Sequence, residues 1–85
     1  MPFTLVIKPK ARKSLDKIPK SYRSRIVAAL QEIRDNPFSG KALSGNRKGE
    51  YSIRVWPYRI IYTIKKQELI IIVVEVSHRG HIRDY

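Results

Sequence analysis

The sequence has no cysteine and few acidic residues, which excludes several classes of protein. Without cysteine there is no disulfide framework, no thiolate zinc site and no thiol nucleophile. The longest uninterrupted apolar run, Leu69 to Val74, has six residues, whereas a membrane span needs about twenty. The first ten residues, MPFTLVIKPK, lack the charged start, long apolar stretch and small-residue cleavage site of a secretory signal. We therefore expect a cytoplasmic protein.

Basic residues dominate the charge. The chain has 18 lysines and arginines against 7 aspartates and glutamates, a formal net charge of +11 on 85 residues. Hydrophobic residues make up 42% of it, enough for one packed domain, expected over residues 1–85. Like charges destabilise so small a body by self-repulsion. The composition therefore predicts an anionic partner: nucleic acid first, an acidic protein second, and an anionic membrane surface last.

Hydrophobic periodicity predicts one strand and two helices in the first half of the chain. Residues 3–7 form a short β-prone run. A helix of about ten residues follows from Pro9 and ends before Pro19, because proline suits a first turn but not a helix interior. A longer helix begins at Ser21 or at the Pro19–Lys20 step and ends at Asn36. Both helices carry an apolar stripe at helical spacing, formed by Ala11, Leu15 and Ile18 in the first and by Tyr22, Ile26, Ala29, Leu30 and Ile33 in the second.

The second half changes to strand periodicity after an ordered loop at residues 36–49. Apolar and polar residues alternate in 51–56, a second strand covers 58–64, and residues 65–67 form a turn. Residues 69–76 are apolar on both faces, which is typical of a central strand. The order predicts an α+β fold in which an N-terminal strand and a three-stranded antiparallel meander form one sheet, with a helical hairpin packed on one face. The opposite face is then available for function.

Two arginines are predicted to face each other on that sheet. If Trp56–Pro57 is the turn of a hairpin, Arg54 lies directly opposite Arg59. Like charges in such a pair are destabilising, so the placement makes sense where an anion sits between them. Arg79, just past the last strand, could approach the same place. The alternative is that these arginines are solvated, with their stems covering apolar neighbours.

Other polar and aromatic residues are weaker candidates. His78 and His81 suggest a metal site, but no carboxylate or cysteine cluster completes a coordination sphere, so we expect no metal and no cofactor. Trp56, at the hairpin tip, is predicted to stack on bases, whereas the tyrosines at 51, 58 and 62 are expected in the core. The lysines of the first helix either form a solvated face or bind phosphate non-specifically; they are Lys8, Lys10, Lys13 and Lys17.

RNA cleavage needs no metal when the substrate's own 2′-hydroxyl attacks the neighbouring phosphorus. The protein must then orient the backbone, neutralise the phosphorane and move two protons. Arginine suits the second task through its bidentate match to phosphate oxygens. Histidine suits the third, and so does tyrosine where nearby cations lower its pKa.

The whole chain resembles the RelE/ParE superfamily of bacterial and archaeal type II toxins. The matching features are the helical hairpin, the loop NPFSGKALSG, the segment EYSIRVWPYRIIYTI and the ending VSHRGHIRDY. Resemblance to the RelE branch implies an mRNA endoribonuclease that enters the ribosomal A site, where mRNA and rRNA are its partners. It also implies neutralisation by a small acidic antitoxin in a hetero-oligomeric complex, and no membrane partner.

The resemblance also implies site residues. Arg54, Arg59 and Arg79 match basic residues of the family, and Tyr85 matches a C-terminal tyrosine six residues after that last arginine. Ser52 and His81 stand where RelE toxins have a lysine and an arginine, and His81 is expected to supply the missing proton transfer. The catalytic set expected is Arg54, Arg59, Arg79, His81 and Tyr85. The substrate-binding set expected is Lys8, Lys10, Lys13, Ser52, Trp56, His78 and Arg83.

Two alternatives remain within the same fold. One is a ParE-like inhibitor of DNA gyrase without nuclease activity. The other is a non-toxic relic that only binds nucleic acid or forms complexes. Fold alone does not decide among them.

Overall fold

A computed structural model describes residues 3–78 of the chain. Its helices are α1 (Pro9–Asp16) and α2 (Lys20–Asp35). Its strands are β1 (Thr4–Ile7), β2 (Lys41–Ala42), β3 (Glu50–Val55), β4 (Tyr58–Lys65) and β5 (Ile70–His78). Two short 3-10 turns, Pro37–Ser39 and Gly45–Arg47, flank β2. Within residues 3–78, no helix is both long enough and apolar enough to cross a membrane.

Proline delimits the two helices as predicted. Pro9 occupies the first turn of α1, where its missing N–H costs nothing. Pro19 lies between the helices, and α2 begins at Lys20. The predicted stripes face the core: Ala11, Ile18, Ile26 and Ile33 are buried, and the remaining stripe residues are partly buried against them.

The sheet has five strands in the order β1-β5-β4-β3-β2. The antiparallel meander of β3, β4 and β5 is confirmed, and β1 joins it by pairing parallel to β5. The prediction that residues 69–76 form the central strand is wrong, because β4 occupies the middle position. β5 lies between β1 and β4, inside the sheet but not at its centre. An interior position is enough to explain its apolar residues on both faces.

The loop at residues 36–49 contains more regular structure than expected, because β2 pairs with β3 inside it. Gly40 lets this happen: a Cβ at this position would clash with the hydroxyl of Tyr62. That hydroxyl is fully buried and donates a 2.7 Å hydrogen bond to the carbonyl oxygen of Pro37. The contact places Lys41, the next residue, at the edge of the sheet.

The two faces of the sheet differ in chemistry. The helices cover the face that carries Ile60, Tyr62, Ile71 and Val73, all completely buried. The other face, which we call the open face, carries the alternate residues of β3, β4 and β5. Of the predicted site residues, Ser52, Arg54 and Arg59 lie on this face.

Candidate active site on the open face

The predicted arginine pair is present on the open face. The β3–β4 register pairs Val55 with Tyr58, Arg54 with Arg59 and Ile53 with Ile60, as the sequence predicted. Arg54 is exposed and Arg59 is half-buried. Because directly opposite residues project to the same side of a sheet, the two guanidinium groups share one surface.

A cleft of about 330 Å³, which we call the arginine cleft, contains this pair. Its lining residues come from three neighbouring strands and the loop after β2: Lys41, Leu43, Ser52, Arg54 and Arg59. Ser52 is buried, and its small side chain leaves room above it. Lys41 reaches the cleft because β2 sets it opposite Ser52. Three cations and a hydroxyl around a small hollow form an anion-binding arrangement.

A third arginine lies across the same face. Arg47 contacts Glu50 on β3 (Nε to Oε1, 2.6 Å) and Glu75 on β5 (Nη2 to Oε1, 3.1 Å). Because β4 runs between these two strands, the Arg47 guanidinium must bridge over it. Ser77 donates a 2.5 Å hydrogen bond to the other oxygen of Glu75. Arg47, Glu50, Glu75 and Ser77 therefore form a bridged cluster beside the arginine pair.

Glu75 is ionised in this cluster. Burial raises its pKa, but the hydrogen bond from Ser77 and the charge and hydrogen bond of Arg47 outweigh that effect and hold the pKa below its ordinary value of 4.5. A weaker contribution in the same direction comes from Lys10. The carboxylate is thus committed to Arg47 and Ser77 near neutral pH.

The other predicted substrate-binding residues lie elsewhere. Lys8 directly precedes α1 and Lys13 lies within it. Both are exposed and lie outside the arginine cleft. Lys10 and His78 line a second cleft, between α1 and β5. Trp56 is 57% exposed at the hairpin tip, with its carbonyl oxygen 3.5 Å from Nη1 of Arg25. The structure therefore places these five residues at three locations outside the arginine cleft, whereas Ser52 lies inside it.

Part of the predicted catalytic set lies outside the described residues. Arg79, His81, Arg83 and Tyr85 fall there, and their roles stay predictions. Within residues 3–78 no group of three or more histidine, aspartate or glutamate side chains is placed to hold a metal ion.

Comparisons with known proteins identify the family. The model of the ParE toxin of type II toxin–antitoxin systems matches residues 5–83. The chain belongs to this toxin family. The RelE/ParE resemblance predicted from the sequence is confirmed.

Relatives support the same assignment for the toxin. It is 32% identical to Toxin RelG of Mycobacterium tuberculosis, over 96% of this chain and 97% of that protein. Its fold is similar to that in the RelBE2 toxin–antitoxin complex of M. tuberculosis, with a TM-score of 0.84, 28% identity and 94% of each chain covered. It also matches the archaeal RelE–RelB complex of Pyrococcus horikoshii, with a TM-score of 0.81, 22% identity and coverage of 96% and 100%. The fold class predicted from the sequence is confirmed.

Sequence reasoning missed several residues of the toxin's open face. Lys41 and Arg47 lie in a segment read as loop, and Glu50 precedes the predicted strand. Glu75 was not predicted to take part in the site. One signal was available: Glu50, Ser52 and Arg54 alternate, which places them on one face of a strand.

Proposed function

We propose that this toxin is a ribosome-dependent mRNA endoribonuclease that needs no metal ion. The observation that supports the proposal is the cross-strand pair of Arg54 and Arg59 inside one small cleft. Two guanidinium groups that share one small cleft create a positive potential that attracts an anion. A phosphodiester is such an anion, and its planar O–P–O edge fits a bidentate guanidinium.

In the proposed reaction, the 2′-oxygen of one nucleotide attacks the adjacent phosphorus. The 2′-O–P bond forms and the P–O5′ bond breaks, giving a 2′,3′-cyclic phosphate and a 5′-hydroxyl. One proton leaves the 2′-hydroxyl for a base, and one proton reaches the departing 5′-oxygen from an acid. Arg54, Arg59 and Arg79 would neutralise the charge that accumulates on the phosphorane.

We assign the two proton transfers to Tyr85, which matches a C-terminal tyrosine of the RelE toxins, and to His81, which stands where those toxins have an arginine. Tyr62 is a poor candidate, since burial raises its pKa from 10.0 to about 12 and its hydroxyl is engaged by Pro37. Glu75 is also a poor base, because Arg47 and Ser77 hold it as a stabilised carboxylate.

The toxin's partners follow from the same proposal. Its charge of +11 suits mRNA and rRNA in the ribosomal A site, and also an acidic antitoxin. The M. tuberculosis and P. horikoshii relatives form complexes with antitoxins, which supports a cognate antitoxin here. The cytoplasm is the compartment in which these partners meet.

A ParE-like gyrase inhibitor is the second candidate, because the matching family model describes the ParE toxin. A gyrase-binding protein needs no pair of cations inside a small cleft, so the arginine pair favours the nuclease. Similarity to RelG also favours the RelE branch. A non-toxic relic is the third candidate.

One experiment separates these candidates. The toxin is induced without antitoxin, and mRNA 5′ ends and gyrase–DNA adducts are mapped in parallel. The nuclease predicts new mRNA ends on translated messages. Purified toxin added to programmed ribosomes should cut the mRNA there.

Arginine variants test the site itself. Arg59→Ala and Arg54→Ala should each lower the cleavage rate by about 10²-fold, the usual cost of losing one preorganised charge-stabilising group. Arg34→Ala, an exposed arginine at the end of α2, is the matched control and should cut normally. Intact mRNA with accumulated gyrase adducts would establish the second candidate instead, and normal growth would establish the relic.

A further inference from the structure

A second cleft, separate from the arginine cleft, lies between α1 and β5. It has a volume of about 470 Å³, within the range of small-ligand sites. Its polar lining is formed by Lys10, Ser14, Lys17 and His78, and its apolar lining includes Ile18, Tyr58 and Val76. We call it the α1–β5 cleft.

The topology of the sheet creates this cleft. β1 pairs with β5 only from Ile70 to Val73, and the chain then turns away into α1 after Lys8 donates its N–H to the carbonyl oxygen of Val73. In the described part of the chain, residues 74–78 of β5 therefore have no strand beside them on that side. Lys10, Ser14 and Lys17 are spaced four and three residues apart, so they form one stripe of α1 that faces this edge.

His78 lines the cleft and is exposed. It makes an edge-to-face contact with Tyr58, with centroids 5.3 Å apart and planes at 84°. Tyr58 makes a similar contact with Tyr22 at 5.6 Å, so it is held from both sides. An exposed imidazole oriented by a supported aromatic ring can contact a base or a phosphate oxygen.

One acidic residue, Glu75, also lines the cleft. Its two oxygens are engaged by Arg47 and Ser77, which lie on the open face. The carboxylate is therefore already compensated by these two contacts. With two lysines opposite, the cleft keeps an excess of positive charge.

The two clefts lie next to each other. Ser77 lines the α1–β5 cleft, and its partner across the β4–β5 ladder is Arg59, which lines the arginine cleft. Residues paired across adjacent strands lie about 5 Å apart, so the two clefts meet at these two side chains. An RNA strand that passes Arg59 on the open face therefore meets Ser77 and the edge of the α1–β5 cleft next.

We propose that the α1–β5 cleft binds a nucleotide flanking the phosphodiester held by Arg54 and Arg59, with Lys10 and Lys17 on its phosphates. This inference rests on the proposed nuclease function and adds a second substrate subsite to it. It assigns phosphate contacts to Lys10 and Lys17 but none to Lys13, which lies on α1 and does not line the cleft.

Salt-dependent binding tests the subsite without relying on cleavage. The probe is a fluorescent pentanucleotide made entirely of 2′-deoxynucleotides, which cannot undergo 2′-hydroxyl attack. Each phosphate contact adds about 0.7 to the slope of log affinity against log salt for a single strand. Lys10→Ala/Lys17→Ala should therefore lower the slope by about 1.4, whereas the control Lys20→Ala/Lys65→Ala, which removes the same charge from exposed positions outside both clefts, should leave it nearly unchanged.

The ring of His78 provides a second readout. Its NMR signals should shift on titration with the pentanucleotide and lose that response in Lys10→Ala/Lys17→Ala. Equal slopes of log affinity against log salt in the two double variants would overturn the subsite. Binding would then be explained by the overall positive charge of the protein. A polyglutamate peptide that shifts His78 while the pentanucleotide does not would overturn it in favour of a protein partner.

The subsite and the nuclease can fail separately. If programmed ribosomes leave mRNA intact but the slopes still differ as expected, the cleft stands as a nucleic-acid site and the nuclease proposal falls. If mRNA is cut and the slopes are equal, the nuclease stands and the subsite falls.

Discussion

The covered and open faces of the sheet share their strands but differ in what their residues do. On β4, Ile60 and Tyr62 point toward the helices and are completely buried. Arg59 and Thr63 point the other way and remain partly exposed, although Ile61 between them is also completely buried. On the covered face, apolar burial supplies stability. On the open face, the Arg54–Arg59 pair works against stability. A residue's effect on folding or on activity should therefore depend on its face more than on its strand.

The largest effect on stability is expected on the covered face. Ile60→Ala should lower the free energy of unfolding by about 2–5 kcal/mol, because it removes buried methyl groups and leaves a cavity. Ile72→Ala is the matched control, since Ile72 is half-buried and shares the open face with Thr63. Denaturant titration measures both. A loss at Ile72 as large as that at Ile60 would break the distinction between the faces.

The next largest effect is expected at Gly40, which packs against Tyr62. Gly40→Ala forces a methyl group onto a buried hydroxyl that is fixed by its bond to Pro37, and overpacking of this kind costs about 1–3 kcal/mol. Removing the hydroxyl should relieve the clash. The cost of Gly40→Ala should thus be smaller in a Tyr62→Phe background, as a double-mutant cycle of thermal unfolding can measure. Strictly additive costs would show that the hydroxyl is not the obstacle.

A smaller, pH-dependent effect is expected at Glu75. Its pKa in the folded state is lower than its ordinary value of 4.5, so the unfolded chain binds more protons in that pH range. The resulting stabilisation is complete above about 4.5 and is lost as the pH falls through the lower, folded-state pKa. Glu75→Gln should flatten the pH dependence of the unfolding free energy in that acidic window. Glu68→Gln, in the β4–β5 turn, is the control and should leave the pH dependence of the unfolding free energy in place. If Glu75→Gln also leaves it unchanged, the lowered pKa of Glu75 is contradicted.

The smallest effect, with the opposite sign, is expected at Arg54. Arg54→Gln removes a like-charge pair and should raise the free energy of unfolding by about 0.2–1 kcal/mol while reducing mRNA cleavage. The gain should shrink as salt is raised from about 0.01 M, where the Debye length is about 30 Å, to about 1 M, where it is about 3 Å. A gain independent of salt would attribute it to strand propensity instead of charge.

The sequence predicted the arginine pair because a hairpin is a local structure. Once Trp56–Pro57 forms the turn, pairing outward from it brings Arg54 opposite Arg59 through sequence separation alone. The helices could be predicted from the sequence equally well, because prolines and apolar stripes set their limits within a few residues.

The bridged cluster could not be predicted in the same way. In β5, regular alternation from Ile71 and Val73 would turn Glu75 toward the helices. The register shift between Ile61 and Tyr62 pairs Glu75 with Ile61 and Val73 with Tyr62, which leaves Val74 without a partner on β4. This bulge turns Glu75 onto the open face, where Arg47 binds it from 28 residues away.

Composition, helix limits, the hairpin pairing and the toxin family were determined by the sequence, because each depends on short-range patterns or on a motif read directly along the chain. The place of β5 in the sheet, the bulge at Val74, the bridge formed by Arg47 and the cleft beside α1 were decided only by the tertiary structure. The physical reason is that these features come from pairing between distant segments. Such pairing is set by how the whole sheet buries its apolar face against the helices, and no local pattern encodes it.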